Sequence, residues 1–543
     1  MKKIIPAFIT GIAIAASGLW AVAANLTANN STDDCADGTG GLQQCLNVAS
    51  ENNEPDIIRT LPGQYTDTTY IYPADGSHDS QDVTLMNDQT DRPVVNGANS
   101  DQGMQVDLTN PPSGGFTFTV QGFIFQDGAN AIEGGGLEMD SEDGNIVVDS
   151  CDFLSNAASA GGGLNVDIDD GGTLTVTNSV FRDNDATNGD GGGAQLQTDS
   201  GGILFEGNLL ELNDAVSDGD GNGGGAAISS FGGTINIQGN TFDANTTQDQ
   251  GGGLWADIND VDGDITINAN LATGNTSRLE GGGIFANVSF GNLTLTNNIV
   301  AGNTSQNSDG GGMHPIANGT DSVLFVINNT IFGNQAPQGD GGGLAAILND
   351  STNTGQIYNN IVYGNSGGGN GADIYSNESR FGSPGGTINL FNNDFSDFYS
   401  ECVDGGGCTG TVNEVNNIDE DPDFVNSAGG DFHLLATSPA IDTGELNPPA
   451  PVGLPSPDFD GVARPQGPLP DMGALEFQVI PTPSPTPTPT ATPIPPPPLN
   501  PSLEGSGCSL GNLAATSGLG WVLPLATGWV FFRSARKRKL EDR

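Results

Sequence analysis

A triplet of glycines followed by an apolar residue returns about every 30 residues through the middle of this chain, beginning at Gly134, Gly161, Gly191, Gly223, Gly251, Gly281, Gly310 and Gly341. Between the triplets runs an asparagine column at Asn156, Asn184, Asn213, Asn245, Asn275, Asn303, Asn334 and Asn365. Two markers in fixed order at one period describe a single supersecondary unit stacked on copies of itself.

The unit is built from strands. Five residues before each asparagine stands a second column, Cys151, Ser179, Asn208, Asn240, Asn270, Asn298, Asn329 and Asn360, and before it apolar residues alternate, as in Ile235 and Ile237 or Leu293 and Leu295. That is the period of two of a half-buried strand. Beyond the second column the apolar position falls two residues on, at Phe153, Phe181 and Phe242, so the inward parity switches and the chain bends. Asn tolerates the left-handed backbone of a tight bend, and its amide can stack on the next coil's Asn as a ladder. A further strand follows each triplet, with Leu164, Val166 and Ile168, or Leu344, Ala346 and Leu348, facing one way. Two or three strands per repeat predict an all-β parallel β-helix, and the resemblances given below imply that it is right-handed, a pectin-lyase-like solenoid. Roughly 11 coils at ~4.8 Å each make a rod on the order of 50 Å long. The 82 glycines and the absence of a long 3.6-residue apolar stripe exclude a helical solenoid.

The termini predict where the rod works. Residues 1–24 combine Lys2 and Lys3, an apolar stretch and a small-residue Ala21-Val22-Ala23 site, the pattern of a secretory signal peptide. Residues 25–130 form an N-terminal cap and first coils, 131–400 the β-helix repeats, and 401–478 the C-terminal coils and a closing domain. The linker 479–504 alternates Pro with Thr and Ser, a stiff extended spacer. In 505–543, Gly507-Cys508 precedes an apolar stretch, Leu513 to Phe532, and a cluster of Arg533, Arg536, Lys537, Arg538 and Lys539, which would stay cytoplasmic if the stretch spans a membrane. Cys35 with Cys45 and Cys402 with Cys408 are close pairs near the rod's ends, expected as disulfides of an oxidising compartment. Cys151, in an asparagine-column position, reads as a small buried thiol.

Three resemblances add to this. The tail resembles bacterial C-terminal sorting signals of the MYXO-CTERM and JDVT-CTERM kind, which implies processing or lipidation at Cys508. The glycine pair with Phe-x-x-Asn, as in Phe153 to Asn156, resembles the repeats of chlamydial polymorphic membrane proteins, surface adhesins whose terminal barrel is missing here. Asp421 to Val425, Gly430 to Leu434, Ser438 to Gly444, Asp460 to Pro465 and Asp471 to Ala474 resemble the choice-of-anchor Q domain, which implies a bacterial surface β-helix and no reaction.

Charge limits the partners. All four lysines lie at the extreme termini, so the body carries six arginines against all but two of the 66 acidic residues, a net charge of about −58. Nucleic acid is excluded, because phosphate contacts need a basic surface. Carboxylates in turns keep a long rod soluble. Asp218-x-Asp220-x-Asn222-Gly223 matches the opening half of a calcium loop, although position twelve is Ser229 and not a bidentate Glu. Acidic clusters recur at Asp167-Asp169-Asp170, from Asp257 to Asp264, and at Asp419-Glu420-Asp421-Asp423. The Gly-x-Gly-x-x-Gly of Gly219 to Gly224 lacks a phosphate-binding Lys and is no nucleotide loop.

A pectate-lyase-like site would want calcium carboxylates beside an Arg or Lys on one strand face, and a polygalacturonase-like site paired Asp with a Gly-His-Gly; His78, His314 and His433 fit no such constellation. The expected function is therefore a surface-anchored rod that binds carbohydrate or a cell surface without catalysis, attached to the membrane through its C-terminal segment. The alternative is a polysaccharide lyase or glycoside hydrolase on the same scaffold.

Overall fold

The computed structural model describes residues 24–29, 39–51, 54–66, 69–73, 81–87, 89–109, 115–130, 132–215, 221–378, 385–403 and 410–478. The chain divides into two units, Met1–Val479 and Ile480–Arg543, and the described residues all belong to the first. No helix among them is long and apolar enough to cross a membrane. The signal segment, Cys35, Cys408, the linker and Cys508 lie outside the described residues.

The first unit is a parallel β-helix. Its coils stack strand on strand into sheets of 15, 12, 12 and eight strands, hydrogen-bonded in parallel register throughout, as in Ile235↔Ile265↔Leu293. One coil serves for all. Ile235–Gln238 lies in the first sheet, Thr241–Asp243 in the second, Thr246–Thr247 in the fourth and Leu254–Asp262 in the third. Alternation puts Ile235, Ile237, Phe242, Leu254 and Ala256 in one continuous core. Within it Phe125, Phe153 and Phe181 stack with centroids 5.3 and 4.8 Å apart. The helix Leu42–Glu51 packs Leu42, Cys45, Leu46 and Ala49 onto the core at the N-terminal end. Apolar burial of this kind is the main drive to fold.

Two expectations need correction. The fourth sheet adds a two-residue strand after the asparagine column, from Ala157–Ala158 to Ser366–Gly367, so the central coils carry four strands. It escaped notice because two residues show no periodicity. The left-handed residue of each bend is also not the column asparagine but the residue before it, for example Gly239 (φ 64°) before Asn240 and Ala244 (φ 55°) before Asn245. The column asparagine instead turns inward. Asn245 Nδ2 donates to Leu210 O in the preceding coil and to Asn275 Oδ1 in the next, at 3.0 Å each, and its backbone N–H donates to that same Oδ1 at 2.9 Å. Every bend thus satisfies polar groups it would otherwise strand in the core.

The glycine triplet permits the return. Gly251 is left-handed (φ 69°), and a Cβ on Gly252 would lie 2.3 Å from Gly282 O, so no larger residue fits between successive loops.

Residues 424–477 fold back along the rod as a strap with little regular structure beyond Phe424–Asn426 paired antiparallel with Asp431–Leu434. The strap covers outward residues of the second sheet: Phe432 and Leu475 pack with Ile299, and Leu434 and Met472 with Ile361. Bend asparagines hold it. Asn328 Nδ2 donates to Asp471 O and Gly473 O at 3.0 and 3.1 Å, Asn359 Nδ2 to Glu445 O at 3.0 Å and Asn392 Nδ2 to Thr443 O at 2.8 Å. Arg464, buried, donates to Asn297 Oδ1 and Gly473 O and pairs with Glu476 at 3.4 Å. Thr443, Glu445, Arg464, Asp471 and Gly473 thereby have a structural task.

Candidate functional site

The outward side of the third sheet brings together what the chain's regular strands otherwise scatter. Strand residues that follow each triplet alternate in and out, and parallel register stacks the outward ones one coil apart, about 4.8 Å. One column runs Asp107↔Asp140↔Asp167↔Gln197↔Ser229↔Asp257↔Asn287. The neighbouring column runs from Glu138↔Asn165 through Gln195 and Ala227 to Trp255↔Phe285↔His314. The early coils therefore present carboxylates and the later ones rings.

In the acidic half, Glu138 accepts from Gln102 Nε2 at 2.7 Å, and Asn165 Nδ2 donates to Glu133 Oε2 at 3.0 Å. Burial, then repulsion from Glu138, Glu133, Asp167 and Asp107, pushes the Asp140 carboxyl up to about 7. Burial followed by Asp169, Glu133 and Asp199 raises Asp167 to about 6. Burial raises Asp257 to about 6 against hydrogen bonds from Asn287 and Asn259. Carboxylic acids of this kind are partly protonated near neutrality and can donate as well as accept.

In the aromatic half, Trp255 and Phe285 stack at 6.5 Å and 7°, Phe285 and His314 at 5.7 Å and 21°, and Tyr375 and Tyr399 at 6.2 Å and 6°. Phe285, Ile316, Ala345, Ile347 and Tyr375 are buried as an apolar cluster, with Trp255 and Tyr399 half-buried against it. The row is tied to polar groups at its edge. Trp255 Nε1 donates to Gln250 Oε1 at 3.3 Å, and Gln250 Nε2 and Ser308 Oγ donate to Glu280 at 3.1 and 3.0 Å. Burial works to raise the Glu280 carboxyl, but the His314 charge and these hydrogen bonds outweigh it and hold it below the usual range.

The sequence reading did not find this aromatic row. Reading the residue after each post-triplet apolar position down the coils, Glu138, Asn165, Gln195, Ala227, Trp255, Phe285 and His314, is the signal that would have found it.

The expected calcium loop falls mostly outside the described residues, which omit Asp218 and Asp220. Asn222 ties coils together, its N–H donating to Asp190 Oδ1 at 2.7 Å and its Oδ1 accepting from Gln250 N at 3.3 Å. Among the described residues no three His, Cys, Asp or Glu side chains converge to hold a metal ion. Cys45 and Cys402 are buried at opposite ends of the rod. Cys151 is a free thiol, fully buried and pushed up to about 12 by burial, which suits packing and not nucleophilic chemistry. His433 lies on the strap, between Asp431 at 2.7 Å and Asp460 at 2.8 Å, away from the third sheet.

No family model and no curated protein matches the chain. Among solved structures it is similar to a pectate lyase, Pel9A, at 15% identity and a TM-score of 0.34, over 83% of this chain and 96% of that one.

Proposed function

We propose that this is an exported, surface-anchored rod that binds glycan or another cell-surface carbohydrate along the outward side of its third sheet, without catalysis. The observation that supports it is the half-buried ring of Trp255 beside Asp257 and Asn287, at the end of a column of carboxylates and amides, with the half-buried Tyr399 further along the same sheet. Sugar C–H faces stack on rings, while hydroxyls need dense acceptors and donors at fixed spacing. Export through residues 1–24, disulfides Cys35–Cys45 and Cys402–Cys408, a choice-of-anchor-like closing region, processing at Cys508 and calcium at Asp218, Asp220 and Asn222 belong to the same proposal. A glycan panel probed with the full chain tests it. Binding that falls about tenfold or more in Trp255→Ala supports the reading, and an unchanged affinity removes it.

A second reading, glycoside hydrolysis, is favoured by one observation: Asp140 and Asp167 are register neighbours, with Asp140 raised to about 7 and Asp167 to about 6. One protonated and one ionised carboxyl is the pairing such chemistry uses. New reducing ends from the same panel, lost in Asp140→Asn, would replace binding with catalysis; release of unsaturated uronides would indicate a lyase.

A further inference from the structure

A second cleft lies on a different side of the rod, where the strap passes over the first sheet. Its floor is the outward side of three successive coils, in two columns fixed by register: Asn236↔Thr266↔Thr294 and Gln238↔Asn268↔Thr296. Strap residues Val452, Pro455 and Phe459 supply an apolar wall, and the cavity holds about 530 Å³. That volume is in the range of small-ligand sites.

Its chemistry is unlike the rest of this acidic molecule. The floor is made of amides and hydroxyls, each able to donate and accept. The charged residue in the lining is Asp458, whose oxygens are already occupied: Oδ1 accepts from Asp460 N and Val462 N at 3.0 and 2.7 Å, and Oδ2 from Glu476 N at 2.7 Å. Asn297, at the rim, is likewise engaged, its Nδ2 with Pro457 O at 3.0 Å and its Oδ1 with Arg464 at 3.2 Å. Asn236 differs. Its side chain lines the cleft, and its Oδ1 is buried without a hydrogen-bond partner. A buried acceptor without a partner is unfavourable, and a ligand hydroxyl that reaches it removes that penalty.

We propose that this cleft is a binding site for a short neutral oligosaccharide of about two or three rings. The array of neutral donors and acceptors, repeating at the coil spacing of ~4.8 Å, matches a ligand with hydroxyls on every ring. The wall of Val452, Pro455 and Phe459 receives the apolar ring faces. An anionic sugar is disfavoured, because the cleft offers no free cation: Arg464, close by, is buried with Glu476. The inference extends the glycan-binding reading to a separate face of the rod, and the two can fail independently.

The test is calorimetric titration of the full chain with maltotriose, cellotriose, xylotriose and, as the charged counterpart, trigalacturonate. The expected result is saturable binding of at least one neutral trisaccharide, weakened about tenfold or more by the double variant Asn236→Leu with Thr266→Val and unaffected by Trp255→Ala. Both substituted positions face outward, so an unchanged melting temperature verifies the fold. The proposal is overturned if no neutral trisaccharide binds, if the double variant binds as the parent does, or if trigalacturonate competes for the same site. Binding lost in Trp255→Ala but kept in the double variant would preserve the third-sheet reading and refute this one.

Discussion

The coils before and after residue 290 share a backbone and differ in what they do with it. In both regions the bend after the first-sheet strand places one left-handed residue before an inward column residue. In the earlier coils the left-handed residue is Ser150, Asn178, Gly207, Gly239 or Ala269, and the bend is only a bend. In the later coils it is Asn297, Asn328, Asn359, Asn392 and Asn416, and the first four of these hold the strap or its Arg464. A position that demands an unusual conformation can therefore also serve as a docking post, provided the residue that tolerates the conformation also carries hydrogen-bonding groups.

The largest test asks whether the strap stabilises the rod beneath it. Ile237→Asp, in a coil whose bend residue Gly239 carries no side chain to dock the strap, and Val326→Asp, in one whose bend residue Asn328 holds it, each bury an unpaired carboxylate in the stacked core. Each should cost several kcal/mol and abolish protease resistance. A strapped variant that melts like the parent would mean that the strap, and not the stack, carries stability there.

Next in size is Arg464→Met, which leaves Glu476 buried without its cation and removes one hydrogen bond to the later coils, at Asn297, and one within the strap, at Gly473. A loss of about 3–5 kcal/mol is expected, confined to strap residues. Hydrogen exchange should show residues 440–477 losing protection while residues 145–290 keep theirs. Loss spread evenly over both regions would erase the distinction drawn between them.

A smaller effect separates the two kinds of bend directly. Asn359→Ala removes two strap hydrogen bonds and should cost about 1–3 kcal/mol, whereas Ala269→Gly, in a bend whose side chain has no hydrogen-bonding group for the strap, should change stability by less than about 1 kcal/mol. Equal costs in thermal unfolding would contradict the docking role.

An effect of another kind is in pH. Burial raises Asp140 and Asp394 to about 7 and Asp167, Asp257 and Asp471 to about 6, against an unfolded value near 4. The folded chain then binds more protons than the unfolded one between about pH 4 and 7, so this contribution is fully present below about pH 4 and lost as pH rises through 6 to 7. Melting at pH 5 should exceed melting at pH 8, and Asp140→Asn should reduce the difference. A higher melting temperature at pH 8 would show that these carboxyls are ionised in the folded rod.

The parts of this molecule legible in the sequence were those that repeat along it. Ile235, Ile237 and Phe242 declare strands and a bend because each recurs at the same offset in successive coils. The strap did not repeat, and its partners are single bend residues far away in sequence, so no period exposed it. A weaker trace exists in the doubled asparagines Asn297-Asn298, Asn328-Asn329, Asn359-Asn360, Asn392-Asn393 and Asn416-Asn417, where one faces in and its neighbour out. The aromatic row was hidden for the opposite reason: Trp255, Phe285 and His314 differ in type, and only the register shows that they share a column.

The inward asparagines also give the rod a direction. In each ladder the N–H groups of one coil point to the oxygen of the next, from Gly128 onto Asn156 and onward to Asn334 and Asn365. Such a chain of aligned amides can accept another link anywhere inside. The ladder through Asn156 ends on the carboxylate of Asp373, which takes the backbone N–H and a side-chain N–H of Asn365 at 3.1 and 3.0 Å, while the ladder through Asn240 runs on to Asn393 and Asn417. The rod thus has a chemical head and tail, and whole coils could be duplicated between Asn156 and Asn334 without rewriting either.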